Sequence, residues 1–251
     1  MAVALLAMSA AHAGGRMLRS VRSAGRMRAY MAVANHSSVQ RVYKCAAGGD
    51  LDATRSAMEL VSAEDVGLNA AARAPPGEPI VYRHVYGDER FSMAVFYLPQ
   101  GTCIPLHDHP HMTVLSKVLF GSLRVTSYDM PEGEEQARPR SMLFGRGRAE
   151  PRRVRCSAAS RRTVEAPCET LRLDPVAGNI HQFEALDDTA IFDVLMPPYS
   201  DGAGRSCHYY LVDREEGGRT DLVETGWPPS LRIVNRLYEG APCGPEWHAD
   251  S

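Results

Sequence analysis

Hydrophobic positions change period once along this chain. Between residues 51 and 68, Leu51, Met58 and Val61 stand at i, i+7 and i+10, the spacing of one helical face, so one or two short helices are expected there. From Ile80 onward the apolar residues come in short runs instead: Ile80–Val85, Phe91–Leu98, Met112–Leu119, Ser122–Tyr128, Ile180–Glu184, Thr189–Met196, Cys207–Val212 and Leu231–Val234. Clusters of Gly, Pro and Asp separate them, as in LPQG, FGS, DMPEG, DPVAGN and PPYSDGAG. Many short strands punctuated in this way predict a mainly β protein, a sandwich or barrel, with short helices ahead of it. The tract from about 131 to 163 shows no apolar periodicity and is expected to be a flexible, arginine-rich loop inserted into the barrel. A single domain is expected over 39–251, with residues 1–38 a disordered or targeting extension.

Composition narrows the class. A chain of 251 residues with 44% hydrophobic and 23% charged residues can bury a core without a disulfide framework. No apolar run reaches the length of a membrane-spanning helix, so no membrane association is expected. The net charge of −2 hides three unequal parts. Residues 1–49 carry seven basic side chains and no acidic one, and residues 138–162 hold nine arginines against Glu150 alone. With those tracts set aside the remainder carries −17, which argues against a nucleic-acid-binding surface on the body. The six cysteines form no CxxC pair and read as free thiols of a reducing compartment. Cytoplasm or nucleus is therefore expected. The apolar start followed by an acid-free, arginine-rich stretch gives an organellar transit peptide as the alternative.

Candidate chemistry concentrates in Pro105-Leu106-His107-Asp108-His109-Pro110-His111-Met112. In an extended strand, residues two apart face one side, so His107 and His109 can share a metal ion. Gly101 lies six residues before His107 and Gly121 closes the next hairpin, as in the first cupin motif, G-x5-H-x-H-x3/4-E-x6-G. Thr113 or Val114 stands where that motif has its glutamate. Gly178-Asn179-Ile180-His181 is similar to the second cupin signature and offers His181 as the third imidazole. His111, of the same parity as His107 and His109, is the alternative third ligand, with Pro110 counting against a continued strand. Imidazole suits iron, zinc, copper and nickel alike. A centre without a carboxylate ligand retains more positive charge and favours an anionic partner such as a thiolate.

Three stretches then carry a family resemblance: PLHDHPHMTVLSKVLFGSLRVTSYD, APCETLRLDPVAGNIHQF and AIFDVLMPPYSDGAGRSCHYYLVD. They are similar to the plant cysteine oxidases and their animal relatives, the 2-aminoethanethiol dioxygenases. VQRVY at 39–43 and EDVGLN at 64–69 extend the likeness, which covers roughly 39–240. The resemblance implies a cupin double-stranded β-helix holding Fe(II) on His107, His109 and His181. It implies insertion of both atoms of O2 into a thiol to give a sulfinic acid, with protein N-terminal cysteine as substrate, oxygen-dependent N-degron turnover as the outcome, and a monomeric enzyme. Cysteamine or free cysteine as substrate, and a non-oxidative metal-binding cupin, are the alternatives.

Asp193 sits in AIFDVLM, where both strand faces are apolar, so its carboxylate is expected to enter the interior at a cost of several kcal/mol unless partnered. The resemblance places Asp193 and Tyr199 beside the iron, Asp193 to hold the substrate ammonium and Tyr199 to hydrogen-bond bound oxygen or thiolate. Cys207 and Tyr209, two apart on an expected strand, share a face and are a candidate thioether pair.

Overall fold

The computed structural model describes residues 37–75, 77–130 and 151–245. Ser37 accepts a hydrogen bond from the Gln40 N–H and so caps α1, Ser38–Ala47. Asp50 does the same for α2, Leu51–Met58, through the Ala53 N–H. A 3-10 turn at Glu64–Val66 follows. Of the expected N-terminal extension, Ser37 and Ser38 already belong to the fold, and residues 1–36 lie outside the described ones.

Among the described residues thirteen strands follow: β1 Ile80–Gly87, β2 Ser92–Leu98, β3 Cys103–His107, β4 Thr113–Phe120, β5 Ser122–Tyr128, β6 Arg153–Ser157, β7 Ser160–Glu165, β8 Leu171–Leu173, β9 Ile180–Ala185, β10 Thr189–Met196, β11 Tyr209–Glu216, β12 Arg219–Thr225 and β13 Ile233–Arg236. They form two sheets, ordered β13-β1-β2-β10-β4-β8 and β6-β12-β11-β3-β9-β5-β7. All neighbours are antiparallel except β1 and β13. The two sheets pack face to face as the sandwich of a double-stranded β-helix, with Phe96, Val118, Ile191 and Leu195 of one meeting Val125, Phe183 and Ala185 of the other. At the β4–β5 turn, Gly121 has φ +82, and a Cβ there would lie 2.4 Å from the Asp188 carbonyl oxygen, so only glycine fits.

β10 shows why its sequence reads as apolar throughout. Phe192 and Val194 face outward into a second core with Val39, Val42, Tyr43 and Met58 of the helices, while Ile191 and Leu195 face the inter-sheet interior. The helices thus cover the outer face of the first sheet, and both sides of β10 are buried. Lys117 on β4, itself buried, pins this layer by pairing with Glu59 just past α2.

The expected loop over 131–163 is corrected in its second half. Residues 131–150 lie outside the described ones, but 153–157 and 160–165 are strands β6 and β7. In β6, Val154 and Cys156 are buried while Arg153 and Arg155 face out, a period-2 pattern. Arg153 pairs with Asp213 of β11, and Arg155 makes a two-pronged contact with Asp221 of β12 at 2.6 and 2.9 Å. The arginines that mask the apolar alternation in the sequence are matched by acids on strands distant along the chain.

Candidate metal centre

β3 ends at His107, which pairs in register with His181 near the start of β9. The ring centroids of His107 and His181 are 4.6 Å apart, those of His107 and His109 4.9 Å, and those of His109 and His181 5.0 Å. One nitrogen from each ring lies within 4.8 Å of the others, and all three residues are buried. His111 is outside this cluster: it is exposed, with φ 58, in the turn closed by the Met112 N–H to the His109 carbonyl.

The sequence expectation that His109 reaches the site by strand alternation is corrected. β3 stops at His107, and His109 lies in the loop that follows. The Asn179 side chain holds it from across the site: Oδ1 accepts from the His109 N–H at 3.1 Å and Nδ2 donates to the His109 carbonyl at 2.8 Å. Asn179 is fully buried and was assigned no role from the sequence, although an amide side chain next to an expected strand start inside GNIH is the signal for it.

The hydrogen bonds fix the proton positions on two rings. His107 Nδ1 is 2.9 Å from the Pro105 carbonyl, which can only accept, so Nδ1 carries the proton and Nε2 keeps its lone pair. Tyr199 donates to the Asp108 carbonyl at 2.7 Å, leaving its oxygen to accept from His109 Nδ1–H at 2.8 Å. The freed Nε2 atoms of His107 and His109 lie 3.2 Å apart. Burial holds all three imidazoles below the usual histidine range, and for His109 and His181 their neighbouring rings lower them further, so all three are neutral ligands at physiological pH. Nδ1 of His181 is buried without a hydrogen-bond partner among the described residues. Two converging lone pairs and a third buried imidazole are what a divalent metal needs and what a hydrogen-bonded core would not leave. Val114 lines the same cavity, and Thr113 is turned to Asp174, so no carboxylate replaces the motif glutamate.

That cavity measures about 50 Å³. Tyr82, Ala94, Phe96, Ile104, Phe183 and Leu195 are among its walls, and among the described residues lining it there is no Lys or Arg. Asp193 faces into it, opposite Ser116 on β4. Its Oδ1 is buried without a partner. Burial raises its carboxyl to about 7, with Ser116 pulling it partly back. Cys207 lies just before β11, and burial pushes its thiol up to about 12, so it is not a ready nucleophile. Tyr209, which also lines the cavity, has its buried hydroxyl against the Cys207 thiol.

A double-stranded β-helix that gathers three neutral imidazoles around one open cavity defines a cupin with a three-histidine centre fit to hold a metal. Residues 48–241 match the family PCO_ADO. The chain is 38% identical over 200 residues to 2-aminoethanethiol dioxygenase of Mus musculus, covering 71% of this chain and 76% of that one. It is 37% identical over 216 residues to plant cysteine oxidase 2 of Arabidopsis thaliana, covering 76% and 73%. A probable 2-aminoethanethiol dioxygenase of Dictyostelium discoideum is 34% identical over 149 residues, covering 59% and 62%. The chain belongs to the plant cysteine oxidase and 2-aminoethanethiol dioxygenase family, whose named members are thiol dioxygenases.

Proposed function

We propose that this chain is a non-haem Fe(II) dioxygenase that converts an N-terminal cysteine of a peptide or protein to its sulfinic acid. The observation that carries the substrate assignment is the Asp193 carboxyl, buried with an unpartnered oxygen in the cavity that the three histidines line. A substrate ammonium supplies the missing hydrogen bond and the counter-charge that favours the ionised carboxylate. The walls offer no cation for a free α-carboxylate, so a peptide bond in its place avoids burying an unpaired charge.

His107, His109 and His181 would hold Fe(II), which supplies a site where thiolate and O2 can be brought together. The reaction adds both atoms of one O2 to the sulfur, R–SH giving R–SO2H, so that sulfur is oxidised by four electrons and O2 accepts them. Tyr199 fixes the His109 ring, Asp193 orients the amine, and the apolar walls keep bulk water from the sulfur. A sulfinic acid at a protein N-terminus suits oxygen-dependent N-degron turnover, in the cytoplasm or nucleus. Cysteamine, with amine and thiol but no carboxylate, satisfies the same recognition and is the second reading.

The test is mass spectrometry for a gain of two oxygens on a Cys-initiated peptide, cysteamine and free L-cysteine under graded oxygen. The expected order of kcat/KM is peptide first and free cysteine last. A preference for free cysteine overturns the assignment.

A further inference from the structure

Asp108 separates two of the three histidines in the sequence, is 0% exposed, and has a role in none of the steps above. All of its polar atoms are bonded. Its N–H donates to the His208 carbonyl at 3.1 Å, and its own carbonyl accepts from Tyr199 at 2.7 Å. Carboxylate Oδ1 accepts from the His208 N–H at 2.8 Å, His208 Nδ1 lies 3.0 Å from Oδ2, and Tyr210 donates to Oδ2 at 2.8 Å. The Tyr210 oxygen in turn accepts from Arg152 Nη1 at 3.3 Å.

These bonds stand where strand pairing gives out. His107 and Tyr209 are the one register pair between β3 and β11. Beyond it the β3–β11 register pairing ends with one further backbone bond, Asp108 N–H to the His208 carbonyl, and the Asp108 side chain adds bonds to the His208 N–H and the Tyr210 hydroxyl of the same neighbouring segment. Residues 107 and 109 are not held to face one point by strand alternation, because the strand ends at His107. Their Nε2 atoms nevertheless meet at 3.2 Å.

We propose that Asp108 is a positioning residue: anchored by His208 and Tyr210, it sets the backbone turn that aims His107 and His109 at one metal ion. This rests on the metal-centre reading above and deepens it. Asp108 touches neither metal nor substrate. Loss of its acceptor oxygens frees the 107–109 turn, and the penalty falls on the convergence of the two rings.

The experiment uses the full chain with Co(II) as a spectroscopic stand-in, alongside chelator competition for Fe(II). Asp108→Asn is expected to weaken metal affinity by about ten- to a hundredfold, as loss of a hydrogen bond behind the ligands does elsewhere. The Co(II) d–d bands should shift, and kcat should fall with little change in KM for the thiol. Tyr210→Phe, which keeps the ring and removes one donor, is expected to move affinity and spectrum in the same direction by less. If Asp108→Asn does not fold, Tyr210→Phe decides alone. Wild-type affinity and an unshifted Co(II) spectrum in the folded variants, even with a lowered Tm, would reduce Asp108 to a structural residue and overturn the proposal. A wild-type chain that takes up neither Co(II) nor Fe(II) would instead overturn the metal-centre reading itself.

Discussion

The Asn179 carboxamide spans both backbone polar groups of His109, accepting from its N–H at 3.1 Å and donating to its carbonyl at 2.8 Å. One buried side chain on the β9 side thus does for His109 what a neighbouring strand would do if β3 continued. Asn179→Ala leaves the His109 N–H without its partner, at about 1–3 kcal/mol for an unsatisfied group, while the carbonyl keeps the Met112 N–H. At roughly 2–4 °C per kcal/mol for a chain of this size, Tm should fall by about 5 °C. Calorimetry checks the Tm, and chelator competition should show weakened metal binding in the same variant.

Asp193 links stability to pH in metal-free protein. Its carboxyl is raised from 3.8 to about 7 by burial. The unfolded chain therefore loses this proton at lower pH than the folded one, and stability falls as pH rises from about 4 to 7. At roughly 1.4 kcal/mol per pH unit, ionising it in place costs on the order of 4 kcal/mol above pH 7. Asp193→Asn escapes that cost: chelator-treated variant and wild type should be closely matched near pH 4, and the variant should be the more stable at pH 8. Denaturant titrations at both values measure the gap. The same variant should lose turnover on a Cys-initiated peptide by far more than it loses iron, because an amide cannot pair with the ammonium.

His181→Ala and His111→Ala separate the two candidates for the third ligand. Removing a buried imidazole of the cluster should abolish stoichiometric iron binding, whereas removing the exposed His111 should leave it intact. Iron analysis of the purified variants settles the assignment, and the reverse pattern would refute it.

The arginine-rich region should divide into two functional halves. Replacing residues 131–150 with a short Gly/Ser linker is expected to change thiol oxidation by less than about twofold, since the histidine cluster, Asp193 and Tyr199 all lie elsewhere in the chain. Val154→Ala in β6 should destabilise the fold by about 2 kcal/mol, because Val154 is 1% exposed and packs with Leu222 and Tyr210. Oxygen-uptake rates and denaturant midpoints read the two effects.

Much of the site was legible because it rests on local pattern. The HxH pair, the GNIH histidine and the interior carboxylate of AIFDVLM are each recognisable from residue type and spacing over a few positions. The short apolar runs likewise marked most strands of the two sheets. The sequence by itself determined the chemistry of the cluster, imidazoles without a carboxylate, and the burial of Asp193 in a strand apolar on both faces. Tertiary structure alone decided how those groups are aimed. Strand β6 forms because Val154 and Cys156 are buried in pairing with β12, and β7 because it pairs with β5, while Arg153 and Arg155 find Asp213 and Asp221 some sixty residues away; local composition cannot reveal these partners. His109 converges on His107 although its strand has ended, because Asn179 and Tyr199, brought in from two other places, bond its backbone and its ring. A periodicity reports which face a residue prefers, but only the packed chain supplies the distant donors and acceptors that hold a residue where no periodic element does.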